Sequence, residues 1–540
     1  MAKAERNVQE PDRKRRKKRR KKKNKAITIF GMLICTLIML IQVAAGVLLC
    51  MELYTLDMLP VRYLAVIGVV VFIMACIQIG LIVQKGLTSN IISALLGVCF
   101  IGVMTLGIVY AQKTALTLQS ISSKKVTTTL DEVSIAVLNT SDYQTLDDLA
   151  GCSFAVQSSV DRTNTDLTLE SLGDIFADNM TVVEYNGIYD MVEALYTGTN
   201  QAIVFNEAYR DLITDSFETF EDDVRIVNTY TYTSTVVMEE EEEEEEFTVN
   251  VALQDPFILY FSGIDTYGDV ATKSRSDVNI IAAINPKTRQ ILLVTTPRDY
   301  YVELALDGNP LDKLTHAGIY GVDCSIKTLE NLYGININYY MRMNFTGFMD
   351  IVDALGGVDV YSEKDFTGEV GNYSFTVGVN HVDGKQALCF VRERHTFVDG
   401  DAQRARNQMA MIKAVVEKAT SPSILTSYTE VLESISNSFV TSLKSNDIST
   451  LVKMQLDDNR AWTINSYSTL GTGARRTTYS MGSQSLYVAL QNEDSIAEAS
   501  SLIQKVLDGE EIDLDSESEE ETESADSAES AAESGEEAAQ

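Results

Sequence analysis

The densest concentration of chemically capable side chains in this sequence lies between residues 392 and 408. Arg392, Arg394, Arg404 and Arg406 fall there with His395, Asp399, Asp401 and Gln408. Guanidinium groups donate paired hydrogen bonds to phosphate oxygens and carry no acceptor. Arginines that converge in this way suit a pyrophosphate cradle. Arg404 and Gln408 are four apart, so a helix puts them on one face. The plainer alternative is a solvated helix with Arg–Asp pairs. Two further clusters stand upstream. Asp265 follows Gly263-Ile264 at the end of an apolar run, and Asp277 follows Arg275-Ser276 at the start of the next. Two carboxylates suit one hard cation, because magnesium needs few of them beside water and ligand phosphates; aspartate is also simply common in turns. Pro297-Arg298-Asp299 ends a third apolar run, where on spacing alone the arginine fits a surface residue or a structural ion pair. Three histidines in the whole chain make a histidine-rich metal site unavailable, and no HExxH, Walker or Ser-His-Asp pattern competes.

These residues are positioned by an alternation of strand-length apolar runs with stretches of helical period. Runs 257–263, 278–284 and 290–295 predict strands, the last two joined as a hairpin across Asn285-Pro286-Lys287-Thr288. Residues 337–343 and 358–361 predict strands; 316–333, 345–355, 383–392 and 404–419 predict helices. Further helices are expected over 421–443, 448–456 and 494–507, with a strand near 461–468. Helices on both faces of a central sheet give an α/β/α sandwich over residues 255–509. The ends of its strands are where such sheets place ligands. A smaller α/β accessory domain is expected at 131–235. Its strands are at 133–138, 153–157, 182–185 and 202–205, alternating with helices at 146–150, 165–177 and 189–196, which predicts a mainly parallel sheet. The phrases TLDDLAGCSFAVQSS and YDMVEALYTGTNQAIVFN resemble one lobe of an extracellular solute-binding domain. A spacer or a docking module fits them as well.

The remainder of the chain bears on location. In the basic segment 1–25, every residue from 13 to 25 except Asn24 is Lys or Arg. Three apolar runs follow within 26–111, at 26–51, 63–83 and 91–111. Each has about the 20 residues that a transmembrane helix needs. The first is too long for a leader core and lacks a small-residue cleavage site. Lys/Arg-rich flanks stay in the cytoplasm, so three crossings put the α/β ectodomain outside the cell, in a multi-pass membrane protein. The basic flank has no helix-turn-helix pattern beside it, so contact with anionic membrane lipid is expected and nucleic acid is not. From Thr114 onward 27 basic face 72 acidic side chains, a net charge of −45. A phosphate ligand must therefore be drawn by a local cluster. Eight consecutive glutamates at 239–246 make 236–254 an extended acidic linker, and 510–540 reads as an acidic disordered tail. Cys35, Cys50, Cys76 and Cys99 lie in the apolar runs. Cys152, Cys324 and Cys389 are far apart with no CxxC pair, so free buried thiols are expected.

Five segments carry a resemblance: PFILYFSGIDTYG, RSDVNIIAAINPKTRQILLVTTPRDYYV, DKLTHAGIYG, NFTGFMDIVDALGGVDV and VRERHTFVDGDAQRARNQ. Together, and in this order, they resemble the LytR-CpsA-Psr family, and the membrane helices with the small α/β domain resemble its capsule-associated branch. The resemblance implies a phosphotransferase. It would take a capsular or teichoic-acid-like glycopolymer from a polyprenyl-pyrophosphate carrier and join it to peptidoglycan through a phosphodiester. It implies magnesium at Asp265 and Asp277, and a pyrophosphate gripped by Arg275, Arg298, Arg392 and Arg394. Arg404 and Gln408 match the family's arginine and glutamine after the Gly-Asp step, with Asp401 beside them; Lys313 and His316 fall in another matching stretch. Asp277 and His395 both remain open as the base. Gln403, Asn407 and Thr315 depart from common family residues, which affects fine contacts. The implied partners are the lipid-linked glycan, peptidoglycan, membrane lipid and capsule assembly proteins. Two rivals remain: a hydrolase of the same pyrophosphate, and a non-catalytic envelope sensor or regulator of polysaccharide synthesis.

Overall fold

A computed structural model of the chain describes residues 2–84, 86–122, 126–158, 162–177, 179–237, 255–264, 273–397, 400–421, 431, 434–435, 438–458, 460–512 and 514. Most of the acidic linker, Asp265, Asp399, most of the 421–437 stretch and the acidic tail from residue 515 lie outside the described residues. The chain forms two compact units.

The first unit is built on α1 (Ala2–Leu56), α2 (Val61–Val83) and α3 (Leu87–Ser122). Three stretches within them, Thr28–Leu56, Val61–Val83 and Leu87–Gln119, are long and apolar enough to cross a membrane. Many of their large side chains face outward, among them Phe30, Leu33, Phe72 and Leu106. That suits a hydrocarbon surround better than water. Leu49, Val71 and Met104 pack inside. There Gln78 Nε2 also donates to Gln42 Oε1 at 2.7 Å, and both side chains are fully buried. A helix from much later in the chain, Ser445–Asp458, belongs to this unit. Lys453 Nζ lies 2.6 Å from Asp57 Oδ1, Arg62 donates to the Leu456 carbonyl at 2.5 Å, and Arg62 lies 3.8 Å from Asp457.

The second unit carries two sheets. The smaller has the order β3-β2-β4-β1-β5, from β1 (Val126–Leu138), β2 (Ser153–Gln157), β3 (Thr181–Tyr185), β4 (Ala202–Asn206) and β5 (Val224–Val237). Helices α4 (Arg162–Phe176), α5 (Ile188–Tyr196), α6 (Arg210–Ser216) and the short α7 (Phe220–Asp223) join them. The parallel expectation holds for β2 with β3 and β4; β1, however, runs antiparallel to both β4 and β5. β5 was not foreseen. Its Thr/Tyr alternation is the period of a strand wet on one face, a weaker signal than an apolar run.

The larger sheet has the order β16-β11-β6-β7-β8-β17. Its first strands are β6 (Phe257–Ile264), β7 (Ser276–Asn285) and β8 (Gln290–Thr295), the last two forming the expected hairpin. A short ribbon of β9 (Tyr301–Glu303) and β10 (Leu311–Lys313) leads to α8 (Leu314–Ala317), α9 (Val322–Tyr333) and β11 (Tyr339–Met343). The expected continuous helix 316–333 is broken at Gly321, whose φ of 110° an L side chain rarely adopts. Then come α10 (Phe345–Ala354), the ribbons β12 (Val358–Ser362) with β15 (Gly378–Val382) and β13 (Phe366–Thr367) with β14 (Ser374–Phe375), then α11 (Gly384–Arg392) and α12 (Gly400–Ala419). Residues 439–441, read as helix from sequence, form β16 (Phe439–Thr441), which pairs antiparallel with β11. The remaining elements are β17 (Thr463–Ser468), the hairpin of β18 (Gly471–Thr477) and β19 (Ser485–Gln491), and α13 (Glu493–Asp508). Tyr260, Ile281, Leu292 and Val294 meet Leu329 of α9 and Ile503 and Val506 of α13 in the main core.

The two sheets share a second core. Ile188, Met191 and Val192 of α5 pack with Ile319 and Met481. Gly187 lies against the backbone of Gly482 so closely that a Cβ there would overlap it.

Candidate active site at one edge of the larger sheet

β6 and β11 are parallel, and β7 runs antiparallel to both β6 and β8. The C-terminal ends of β6, β8 and β11 and the start of β7 therefore share one edge of the sheet. That edge receives the sequence clusters. Arg275 and Asp277 open β7, Arg298 follows β8, and Asn344 and Phe345 follow β11. Asp265 follows β6 but is not among the described residues.

Asp277 is held from two sides. Arg298 Nη1 donates to its Oδ2, and Thr315 Oγ1 donates to its Oδ1 at 3.1 Å. The Thr315 backbone N–H donates to the Arg298 carbonyl at 2.9 Å, which ties the two supports together. Lys313 Nζ lies 2.8 Å from Asp299 Oδ1, both largely buried. Burial opposes the charge on Asp299, but Lys313 and Arg298 outweigh it and hold the carboxyl below its usual range.

Beneath them is a buried network. Asp312 Oδ1 is 2.6 Å from His316 Nδ1, while Oδ2 accepts from the Ser480 N–H at 2.8 Å and its hydroxyl at 2.6 Å. Burial again works against ionisation, and His316 and Ser480 overcome it, so the Asp312 carboxyl stays below its ordinary value. His316 is thus a structural anchor of the turn that presents Lys313 and Thr315. Arg342, on β11 in register with Ser262, is also buried, and burial pushes its guanidinium down to about 10.

The arginine-rich segment reaches the same edge through Phe345. Arg392, the last residue of α11, has its guanidinium carbon 4.3 Å from the centre of the Phe345 ring. Asn344 caps α10 by accepting from the Gly347 N–H at 2.9 Å, which fixes Phe345 at the first helical position. α12 is fastened to the end of α11: Asn407 Nδ2 donates to the Phe390 carbonyl at 3.3 Å, and Gln408 Nε2 to that of Val391 at 3.4 Å. Arg404 lies one turn before Gln408 on the same helix. Glu393 accepts from the Glu369 and Thr396 N–H groups and shapes the turn after Arg392. Arg394 and His395 stand exposed on that turn, with Arg394 Nε 3.3 Å from His395 Nε2.

Arg275 has an unexpected setting. Its side chain is 8% exposed and its partners come from the smaller sheet's α6: Asp215 Oδ2 lies 2.6 Å from Nη1, and Asp211 Oδ2 3.7 Å from Nη2. Burial penalises its charge, but Asp277, Asp215 and Asp211 together raise its pKa. Sequence reasoning missed Asp211, Asp215, Thr315 as a donor to Asp277, and Phe345 as the platform for Arg392. Thr315 and Phe345 sit inside family-like segments and were visible there; nothing in the spacing of Asp211 and Asp215 points sixty residues ahead.

The donor set at Asp277 fits a magnesium ion. Oδ2 accepts from Arg298 and Oδ1 from Thr315; a carboxylate oxygen has two lone pairs, and magnesium takes few protein ligands. Among the described residues no three Asp, Glu, His or Cys side chains gather for a metal. Cys152, Cys324 and Cys389 are free and buried, and burial pushes the Cys324 thiol up to about 11.

The profile of the LytR_cpsA_psr family matches residues 225–497, half of the chain. The chain belongs to this family. A relative from Bacillus mycoides (strain KBAB4), the polyisoprenyl-teichoic acid–peptidoglycan teichoic acid transferase TagU, is 38% identical over 197 residues, 36% of this chain and 63% of that protein. The Enterococcus faecalis (strain ATCC 700802 / V583) protein of the same name is 35% identical over 216 residues, 40% of this chain and 69% of that protein. The chain thus spans just under two thirds of the Bacillus mycoides relative. The crystal structure of B. subtilis TagV aligns at 26% identity over 47% of this chain and 98% of that one, with a TM-score of 0.42. Family membership agrees with the sequence resemblance and with an α/β domain that follows apolar N-terminal helices.

Proposed function

We propose that this chain transfers a glycopolymer from a polyprenyl-pyrophosphate carrier to peptidoglycan. The observation that carries the reading is the grouping of Arg275, Asp277 and Arg298 at one sheet edge, with Arg392 held over Phe345 at the neighbouring strand end. Guanidinium groups gathered in this way suit an anionic ligand, which a unit with a large acidic excess draws only through such a local cluster. The relatives named as teichoic acid transferases support the same reading.

In this mechanism Arg275, Arg298, Arg392, Arg394 and Arg404 hold the pyrophosphate oxygens, with Gln408 beside them. Positioning and charge neutralisation are what phosphoryl transfer requires. A peptidoglycan hydroxyl attacks the phosphorus that bears the glycan. The new P–O bond forms as the bond to the bridging oxygen breaks, and polyprenyl phosphate leaves. Magnesium, at Asp277 with Asp265, would supply further neutralisation of that leaving charge. The acceptor proton goes to Asp277 or to exposed His395. His395→Gln decides between them: a loss of about a hundredfold assigns the proton to His395, and turnover near wild type assigns it to Asp277. We place residues 1–25 in the cytoplasm and the second unit outside, with the three apolar helices crossing the membrane and keeping the site near its lipid donor. Capsule assembly proteins are further partners on this reading.

The test uses the full chain in lipid nanodiscs with a short polyprenyl-pyrophosphate glycan and peptidoglycan fragments, followed by mass. Attached product is expected, dependent on magnesium, and reduced about a hundredfold or more in Arg392→Ala and Asp277→Ala. Free sugar phosphate without attachment would replace the reading with a hydrolase. Donor binding without turnover would replace it with a sensor.

A further inference from the structure

The smaller sheet does more than dock beside the larger one. It sends carboxylates to the two cationic side chains that lead into β7. Asp131, fully buried on β1, lies 3.0 Å from Lys273 Nζ. Two residues on, Arg275 meets Asp215 and Asp211 of α6. Asp211 and Asp215 are four apart and so face the same way. Burial raises the Asp211 carboxyl, and Asp215 and Asp277 raise it further against the pull of Arg275. The α6 pair and the Asp277 carboxylate thus belong to one electrostatic neighbourhood.

The pair's strength shows what it can do. Asp215 is 62% and Asp211 48% exposed, and ion pairs this open are weak. They cannot keep Arg275 from a multiply charged pyrophosphate, so they are no plug. They can orient a guanidinium whose own chain is buried, because a buried arginine has few rotamers and two acceptors on one helix face select among them.

We propose that α6 of the smaller sheet is part of the transferase site, and that Asp215, with Asp211, is a positioning residue that orients Arg275 toward the donor pyrophosphate. The accessory α/β domain is then a working half of the catalytic unit and not a spacer. This inference rests on the transferase reading. Positioning acts on the transition state more than on ground-state binding, so kcat carries the effect and KM does not.

The experiment measures kcat and KM for the lipid-linked donor with the full chain in nanodiscs, for wild type, Asp215→Asn, Asp215→Glu, Asp211→Asn with Asp215→Asn, and Asp131→Asn. Thermal midpoints are recorded beside them. The expected result is a kcat about tenfold lower in the double variant, with KM within about twofold. Asp215→Glu should recover most of the loss. Asp131→Asn, which weakens docking without touching Arg275, should keep wild-type kcat even if its midpoint falls. Wild-type kcat in the double variant overturns the inference while leaving the transferase reading intact. Equal losses of kcat and midpoint in Asp131→Asn and the double variant also overturn it, in favour of docking alone. Absence of any attached product from wild type overturns the functional reading and this inference with it.

Discussion

At the scale of single residues, most of the stabilising polar chemistry lies beneath the site and not in it. Asp312 is fully buried and takes four hydrogen bonds, so removing it strands His316, Ser480 and the Lys313 N–H. Asp312→Ala should cost about 3–5 kcal/mol, read as a lower urea midpoint with an unchanged slope. The same groups set a pH dependence. The folded carboxyls of Asp299 and Asp312 lie below their ordinary value of 3.8. Their contribution is therefore complete above that value and is lost as pH falls through the lower, folded one. Stability of the second unit should decline below about pH 4, and Lys313→Met should flatten the part that comes from Asp299. Phe345 makes a different prediction. Phe345→Leu keeps apolar bulk but removes the π face under Arg392, a contact of roughly 0.5–2 kcal/mol. A loss of several-fold in donor turnover is expected, with the thermal midpoint nearly unchanged. The arginines themselves were legible from sequence, because charge of that sign is scarce in an acidic chain. Their supports were not: Phe345, Thr315 and Asp215 are ordinary residues until the fold brings them near.

At the scale of elements, the boundaries that mattered were set by glycines. Gly321 ends what would otherwise be one helix from 314 to 333, and its φ of 110° lets α9 start in a new direction. Gly321→Ala should cost about 1–2 kcal/mol, measurable by chemical denaturation. Gly187→Val tests the seam between the two sheets, since even a Cβ there overlaps the Gly482 backbone. It should lower the midpoint of the second unit and, through Arg275, the turnover. Apolar runs such as 290–295 and 153–157 were readable because burial on both faces writes itself into consecutive residues. β5 and the β18–β19 hairpin are half-wet and polar, and an alternation of Thr, Tyr, Arg and Gly competes poorly with turn signals. The short β16 was lost for another reason: three residues paired on one side carry too little pattern to outweigh the helical period around them.

At the scale of the whole molecule, charge segregates strongly, with basic residues before the first apolar helix and an acidic excess after the last. That arrangement supports the topology we propose, which can be checked directly. Asp57→Cys should react with an impermeant thiol reagent on intact cells, and Gln84→Cys only after permeabilisation. The reverse pattern would place the second unit in the cytoplasm. Gln42 and Gln78 give the first unit a polar seam. Gln78→Leu should destabilise the helix bundle by about 0.6–2 kcal/mol, seen as earlier thermal aggregation in detergent.

The helix Ser445–Asp458 belongs with the membrane helices, yet it is encoded about 325 residues after Gln119. On the topology we propose, the three apolar helices enter the bilayer during synthesis before this helix has been translated. At about 5–20 residues per second, the ribosome needs roughly 16–65 s to deliver it. Over that interval Asp57 and Arg62 wait for partners that have not been translated, while almost all of both sheets emerges and folds. The first unit thus closes only on a chain whose smaller sheet and most of whose larger sheet have been translated, with β17, the β18–β19 hairpin and α13 still to follow.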